Sequence, residues 1–435
     1  MRKTNNKVWA LAAGVTGIAL LTTACGSGTP SGDDVGAANG DEKITLTVAT
    51  FNEFGYEDLL AEYTTLNPNI TVEQKKAATS NEARDNMNTR LAAGSGLSDI
   101  EAIEVDWLPE LMQYPDKFVD LTDDSVEGRW LDWKVAQATT PDGALLGYGT
   151  DIGPEGVCYR SDLFAAAGLP TDRAEVATLL GGESATWDDY FAAGKKFSAA
   201  GTGTPWMDSA GATYQGMINQ VANAYEKKDG TIVAADNPEV RDIYDTVLGA
   251  SVTDGLSAHL GQWSEDWTAS FQNNGFATML CPGWMLGVIS GNAEGVTGWD
   301  IADVFPGGGG NWGGSFLTVP AQGKYPVQAQ ALADWLTAPE QQIKAFVAKG
   351  TFPSQSEALT SPDLLGVTVP FFNNAPTGEI LANRAKAVTV APFKGPNYFA
   401  INDAMQQALS RVDVDKTDDP ESSWTKFVTD VKALG

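Results

Sequence analysis

The sequence predicts an α/β protein of two domains, each built as a doubly wound sheet. Three observations lead there. The chain has 435 residues, and the roughly 390 from Ile44 onwards exceed what one hydrophobic core usually organises. Strand and helix signals alternate from residue 44 to residue 150, the pattern of a parallel sheet wrapped by helices. The alternation then restarts beyond residue 150. Apolar residues make up 43% of the chain and tryptophans number 13, so a large core is available.

The elements follow in order. Residues 44–49 alternate apolar with small or polar side chains, which predicts a strand. Residues 52–55 turn, and Tyr56, Leu59, Leu60, Tyr63 and Leu66 then recur at helical spacing until Asn67-Pro68 ends the helix. Ile70 and Val72 mark a second strand. Ser80 is the expected N-cap of a helix closed by Gly94, and residues 100–105 form a third strand. Pro141-Asp142-Gly143 is a tight turn leading into a strand over 144–150. Beyond it, residues 156–159 predict a strand, and a short helix runs from Ser161 to Gly168. Thr186 caps the next helix with Asp189 as its capping-box partner. Residues 276–280 predict a strand that runs into a Cys281-Pro282-Gly283 turn. Helix formers dominate 327–349, and the C-terminal part is mainly helical.

The N-terminus sets the expected compartment. Arg2, Lys3 and Lys7 precede an uncharged run over 8–21, the order of a secretory signal. The run is shorter than the roughly 18 residues a spanning helix needs. Thr22-Thr23-Ala24-Cys25-Gly26 resembles the lipobox of bacterial lipoproteins, with Thr22 where leucine is usual. The expectation is a signal peptide over 1–24, cut before Cys25, which then carries the acyl chains (palmitate among them). An ordinary signal with an incidental cysteine is the alternative. Residues 26–41 are rich in Gly, Ser, Ala, Asn and Asp. Such a stretch buries little and reads as part of a flexible tether over 25–43.

Composition narrows the chemistry. The formal charge is −28. Residues 1–24 carry three positive charges and no negative ones, which leaves −31 for the remainder. Such a surface repels nucleic acid and anionic headgroups and points to a neutral ligand, unless it serves solubility alone. Cys158 and Cys281 remain as an even pair in an oxidising compartment. A disulfide is the expectation, and two buried thiols in strand segments are the alternative. The single histidine, His259, disfavours nucleophilic triads and zinc or copper sites. Residues 307–310 lack the lysine of a phosphate cradle. The acidic run from Asp413 fails as a calcium loop, with Asp418 and Trp424 where glycine and glutamate belong. The sequence therefore predicts no metal, no cofactor and no catalysis. A glycoside hydrolase stays open, since paired carboxylates carry no sequence mark.

The aromatic residues keep unusual company. Phe51-Asn52-Glu53-Phe54 and Val105-Asp106-Trp107 follow strands, and Pro205-Trp206-Met207-Asp208 lies between helices. Gln262 to Trp267, Pro282-Gly283-Trp284-Met285 and Asn311-Trp312-Gly313 complete the set. Sugars offer apolar C–H faces for flat rings and an equator of hydroxyls for amides and carboxylates. For any one tryptophan core packing is the commoner role, but several such pairings at loop positions point to sugar binding.

The stretches Leu91-Ala-Ala-Gly94-Ser-Gly96-Leu-Ser-Asp99-Ile100, Gly147-Tyr-Gly-Thr-Asp151-Ile-Gly-Pro154, Val157-Cys-Tyr-Arg160-Ser-Asp-Leu-Phe164, Cys281-Pro-Gly-Trp284-Met-Leu286 and Asn311-Trp-Gly-Gly-Ser-Phe-Leu-Thr-Val-Pro320 together carry a resemblance. The chain resembles the extracellular solute-binding proteins of carbohydrate ABC importers, the family that includes maltose-binding protein. Within it the chain is most similar to actinobacterial cellobiose- and xylobiose-binding lipoproteins. The resemblance implies a type II periplasmic-binding-protein-like fold with a three-crossing hinge and the ligand cleft between the domains. The crossings are expected near residues 150–152, 313–315 and 351–353. Domain one then holds 44–150 and 315–351, and domain two 152–313 and 353–435. Trp284 matches the position whose indole stacks on the sugar, and Asn52, Glu53, Glu104, Asp106, Trp206, Asp208 and Trp312 are carried over with it. Asn52, Asp106 and Asp151 also sit just past strand ends, where doubly wound sheets bind ligands. The implied protein is a lipid-anchored, extracytoplasmic monomer that binds an oligosaccharide and partners ABC permease subunits. The implied sugar is a β-1,4-linked glucose or xylose oligomer, with galacto-oligosaccharides and other plant glycans as rivals. A surface glycan-binding adhesin is the remaining alternative.

Overall fold

A computed structural model describes residues 42–435. The expected signal, Cys25 and most of the tether lie outside the described residues. Among the described residues there are eight strands: β1 (Ile44–Phe51), β2 (Ile70–Ala77), β3 (Ile100–Glu104), β4 (Tyr148–Gly149), β5 (Glu155–Arg160), β6 (Thr278–Pro282), β7 (Trp299–Ala302) and β8 (Ser315–Thr318). They form a five-stranded sheet in the order β2-β1-β3-β8-β4 and a three-stranded sheet in the order β6-β5-β7. Helices surround both, in the architecture of the periplasmic-binding-protein-like α/β fold.

In the first sheet β1 runs parallel to β2 from Ile44 opposite Ile70 to Phe51 opposite Ala77, and parallel to β3. Leu46 and Val48 point into a core with Ile103, Leu332 and Leu336. β2 is an edge strand whose Glu73, Lys75 and Lys76 face water, a usual protection of an open edge. The sheet is not wholly parallel as expected, because β8 runs antiparallel to both β3 and β4. Residues 144–147 also leave the expected strand, since Leu145 bridges back to Thr139. The helix Ser80–Ala93 begins one residue earlier than expected. Thr79 is its cap, accepting from the Glu82 amide at 3.2 Å, while Ser80 Oγ accepts from Trp107 Nε1 at 2.9 Å. Gly94 closes it at φ 66°, in the left-handed region that glycine enters without strain.

The second sheet corrects the parallel expectation outright: β5 is antiparallel to both β6 and β7. Its side chains alternate between two cores, one reason every residue of β5 is buried. Val157 and Tyr159 enter a core with Phe164, Phe197, Trp206 and the C-terminal helix residues Ile401 and Met405. Cys158 enters the opposite core with Met279, Ile301 and Phe352. Cys158 faces Met279 across the ladder and Cys281 faces Gly156, so the two cysteines are diagonal neighbours on one face. Their Cα atoms are 5.5 Å apart and a disulfide joins them. On the other face, Thr186 and Asp189 close the expected capping box of the helix Trp187–Ala199.

The chain passes between the sheets in three adjacent segments: after β4, before β8, and after the helix Pro339–Lys349. The Thr150 amide donates to Ser315 O at 2.9 Å and the Ile152 amide to Phe352 O at 2.9 Å. The Gly153 amide donates to Asn311 Oδ1 at 2.9 Å. Asp151 ties the first two segments together, its Oδ1 accepting from the Ser315 amide at 2.9 Å and from Thr150 Oγ1 at 2.7 Å.

Candidate functional site

Beside these crossings lies a cavity of about 600 Å³, within the size range of small-ligand sites. The first sheet supplies one wall from the ends of its strands. Asn52 follows β1 with φ at 45°, a left-handed turn that asparagine tolerates. Glu104 ends β3 and Asp106 follows it, while Asp151 and Ser315 come from the crossings. Trp263, Trp284 and Trp312 form the aromatic part of the lining. The helix Tyr398–Asp413 contributes Phe399, Asn402 and Gln406.

The carboxylate wall is dense in ionisable groups yet largely compensated. Glu104 Oε2 accepts from the Asp106 amide at 2.9 Å. Burial, reinforced by the charge of Asp106, pushes the Glu104 carboxyl up to about 8, so near neutral pH it is a hydrogen-bond donor as well as an acceptor. Asp106 is ion-paired with Lys394. Burial acts against the charge of Lys394, but the Asp106 carboxylate outweighs it and the ammonium is held above its usual value. Lys134 lies behind the wall, 1% exposed, with Nζ 3.7 Å above the Phe316 ring. Burial pulls it down to about 7. Glu53 is at the rim, paired with Lys76 at 2.7 Å and Lys349 at 3.2 Å. Hydrogen-bonding capacity, not net charge, is what this wall presents.

The aromatic wall is built where β6 ends. Cys281 and Pro282 belong to the strand, so the reversal falls on Gly283 and Trp284, ahead of the helix Met285–Asn292. A Cβ on Gly283 would come within 2.8 Å of Gly350 O. That close approach is why glycine precedes the indole. Trp284 Nε1 donates to Trp312 O at 3.0 Å, and the two rings meet edge to face at 5.5 Å. Trp263 lies near-parallel to Trp284, with centroids 6.1 Å apart and planes inclined by 24°.

Of the residues singled out in the sequence, Asn52, Glu53, Glu104, Asp106, Asp151, Trp284 and Trp312 meet around this cavity. Trp206 and Asp208 do not. Trp206 is fully buried among Phe164, Tyr190 and Phe197, with ring centroids 5.3–5.8 Å away. Three aromatic side chains from two helices cover it, which its local sequence does not reveal. Asp208 is buried behind the wall, and its Oδ2 accepts from Gln262 Nε2 at 2.9 Å and Trp267 Nε1 at 3.1 Å. Trp263 was visible only as one member of the cluster from Gln262 to Trp267. The amides of Gln215, Asn402 and Gln406 gave no signal, since polar residues on a helix read as a solvated face. His259 Nδ1 lies 2.8 Å from Asp413 Oδ1. Among the described residues no cluster of His, Cys, Asp or Glu is arranged to hold a metal ion.

A two-sheet α/β fold with an aromatic and polar cavity beside its crossings can take up a small ligand. Residues 58–365 match the model of the bacterial extracellular solute-binding proteins, and the chain belongs to that family: it is a solute-binding protein and not an enzyme. A solved structure described as an extracellular solute-binding protein family 1 is 49% identical, with a TM-score of 0.80 over 90% of this chain and 99% of its own. Two more distant structures share the fold. The ABC transporter associated binding protein from B. animalis subsp. lactis Bl-04, in complex with β-1,6-galactobiose, is 20% identical with a TM-score of 0.75, over 90% of this chain and 97% of its own. Maltose-bound T. maritima MalE3 is 18% identical with a TM-score of 0.70, over 90% of this chain and 100% of its own. No curated protein matches the chain. No helix among the described residues is long and apolar enough to cross a membrane.

Proposed function

We propose that the chain captures a neutral oligosaccharide in this cavity and delivers it to an ABC permease. The observation that carries the reading is the meeting of two chemistries in one cavity. Its indoles suit the C–H faces of a sugar, and Asn52, Glu104 and Asp106 suit its hydroxyls. The solved relatives bound to β-1,6-galactobiose and to maltose support a sugar as the class of ligand. A β-1,4-linked glucose or xylose oligomer is the ligand we propose, on the resemblance of the motifs. Domain one comprises 44–150 and 315–351, domain two 152–313 and 353–435, and the three crossings act as the hinge about which sugar binding favours a closed form. Acylation of Cys25 tethers the monomer to the outer face of the membrane.

Titration with cello- and xylo-oligosaccharides, followed by calorimetry and by recovery of the sugar, tests the reading. Saturable binding with the sugar recovered intact is expected. Absence of binding across both series would remove the proposed ligand. Separately, Cys25→Ser should release the protein from the membrane fraction, and retention there with unchanged acyl mass would remove the anchor.

A further inference from the structure

Trp263 stands on an unusual loop. Within five residues the chain places His259 at φ 59° and Trp263 at φ 71°. Large side chains avoid this region, and such a backbone persists only where its surroundings over-determine it. Two buried carboxylates supply that determination at different points of the loop. Asp413, at the end of the helix Tyr398–Asp413, accepts from His259 Nδ1 at 2.8 Å on Oδ1. Its Oδ2 accepts from Ser257 Oγ at 3.0 Å and from the Ala210 amide at 2.8 Å. Asp208 accepts from Gln262 Nε2 and Trp267 Nε1 on Oδ2, and its carbonyl accepts from the Leu260 amide at 3.1 Å. Each carboxylate is only 1% exposed, so each holds its donors out of competition with water. Between the two clamped points Trp263 remains 44% exposed, near-parallel to Trp284.

We propose that Asp208 and Asp413 are positioning residues for ligand binding: they clamp the loop over 257–267 so that Trp263 extends the aromatic wall beyond Trp284. Asp208 does not border the cavity, whereas Asp413 does, so for Asp413 the Trp263→Ala background separates clamping from direct contact. The consequence for affinity rests on the oligosaccharide reading, whereas the clamp itself is measurable without any sugar.

The test uses the full chain and the variants Asp208→Asn and Asp413→Asn, which keep shape and remove charge. In the ligand-free protein each should lose amide protection across 257–263. Each should also change the near-ultraviolet circular dichroism of the Trp263–Trp284 pair as Trp263→Ala does. Titrated with cellotriose and xylotriose, each should weaken binding about tenfold, or about 1.4 kcal/mol. In a Trp263→Ala background neither should weaken it further, because the positioned ring is already gone. Unchanged protection and dichroism would overturn the proposal, as would an equal loss of affinity with and without Trp263. Should an Asn variant fail to fold, His259→Ala and Gln262→Ala delete only the loop-side partners and are judged by the same criteria. If neither trisaccharide binds the unmodified chain, the ligand-free measurements still decide the clamp, and it is the sugar assignment that has failed.

Discussion

Pro205-Trp206-Met207 and Pro282-Gly283-Trp284-Met285 are close to the same words, and the fold gives them opposite roles. Trp206 is wrapped by Phe164, Tyr190 and Phe197 in the core on one face of the second sheet. Trp284 has a core on one side only and shows its remaining surface to the cavity beside Trp263 and Trp312. A glycine seats each indole. A Cβ on Gly194 would lie 2.7 Å from the Trp206 ring, and a Cβ on Gly153 would lie 1.8 Å from Trp312 O and 3.3 Å from Trp284 Nε1. The difference teaches that an aromatic residue's role is decided by what reaches it from elsewhere in the chain, not by its immediate neighbours.

The largest effect that could break this comparison is in Trp206→Ala. Emptying a fully packed aromatic site costs about 3–5 kcal/mol of stability, read as a lower denaturation midpoint, while the folded fraction still binds sugar. Lost binding at unchanged stability would exchange the two roles. Trp284→Ala should show the converse, with a loss of about 2 kcal/mol in binding, roughly thirty-fold by calorimetry, and a smaller change in apo melting than Trp206→Ala. A larger apo destabilisation than Trp206→Ala would make Trp284 the core residue. Gly194→Ala sharpens the packing side. Overpacking against an immobile ring costs about 1–3 kcal/mol, and the gain of about 1 kcal/mol in helix propensity offsets part of it. The net expectation is a modest loss of stability with binding unaffected, and a stabilised variant would show the Trp206 pocket to be loose.

A pH dependence should also arise at Asp208, two residues beyond Trp206. Burial pushes Asp208 up to about 6, against the hydrogen bonds from Gln262 and Trp267. A carboxyl raised in the folded state favours its neutral form there. Its contribution to stability is therefore complete below its ordinary value of 3.8 and is lost as pH rises through about 6, with a slope of at most about 1.4 kcal/mol per pH unit. Urea midpoints between pH 4 and 6 should fall more steeply for the unmodified chain than for Asp208→Asn. Parallel profiles would show that Asp208 titrates as an ordinary carboxylate.

Much of the fold was legible in short-range pattern. Alternation marks β1, the Thr186–Asp189 box marks a helix start, and Gly94 marks a helix end. Strand direction was not legible, because a two-residue alternation is the same in parallel and antiparallel ladders. The pairing of β5 with β6 and β7 depends on segments more than a hundred residues apart, and Arg160 opposite Trp299 leaves no local trace. In the site, Asn52, Asp106 and Asp151 were legible because strand ends of a wound sheet face ligands. Trp263 was missed because its exposure depends on a clamp formed by Asp208 and Asp413, which lie far from it in the chain.

The sequence by itself determined the main elements of the first sheet, the helix boundaries set by caps and glycines, and the supply of indoles, amides and carboxylates at strand ends and turns. These depend on side-chain spacing and backbone preference over a few residues, which act wherever the segment finds itself. Only the tertiary structure decided that β8 would enter the first sheet between β3 and β4 and that Trp206 would be buried while Trp284 faces the cavity. Burial is a property of the space around a side chain, and here that space is filled by helices and crossings contributed from distant parts of the chain.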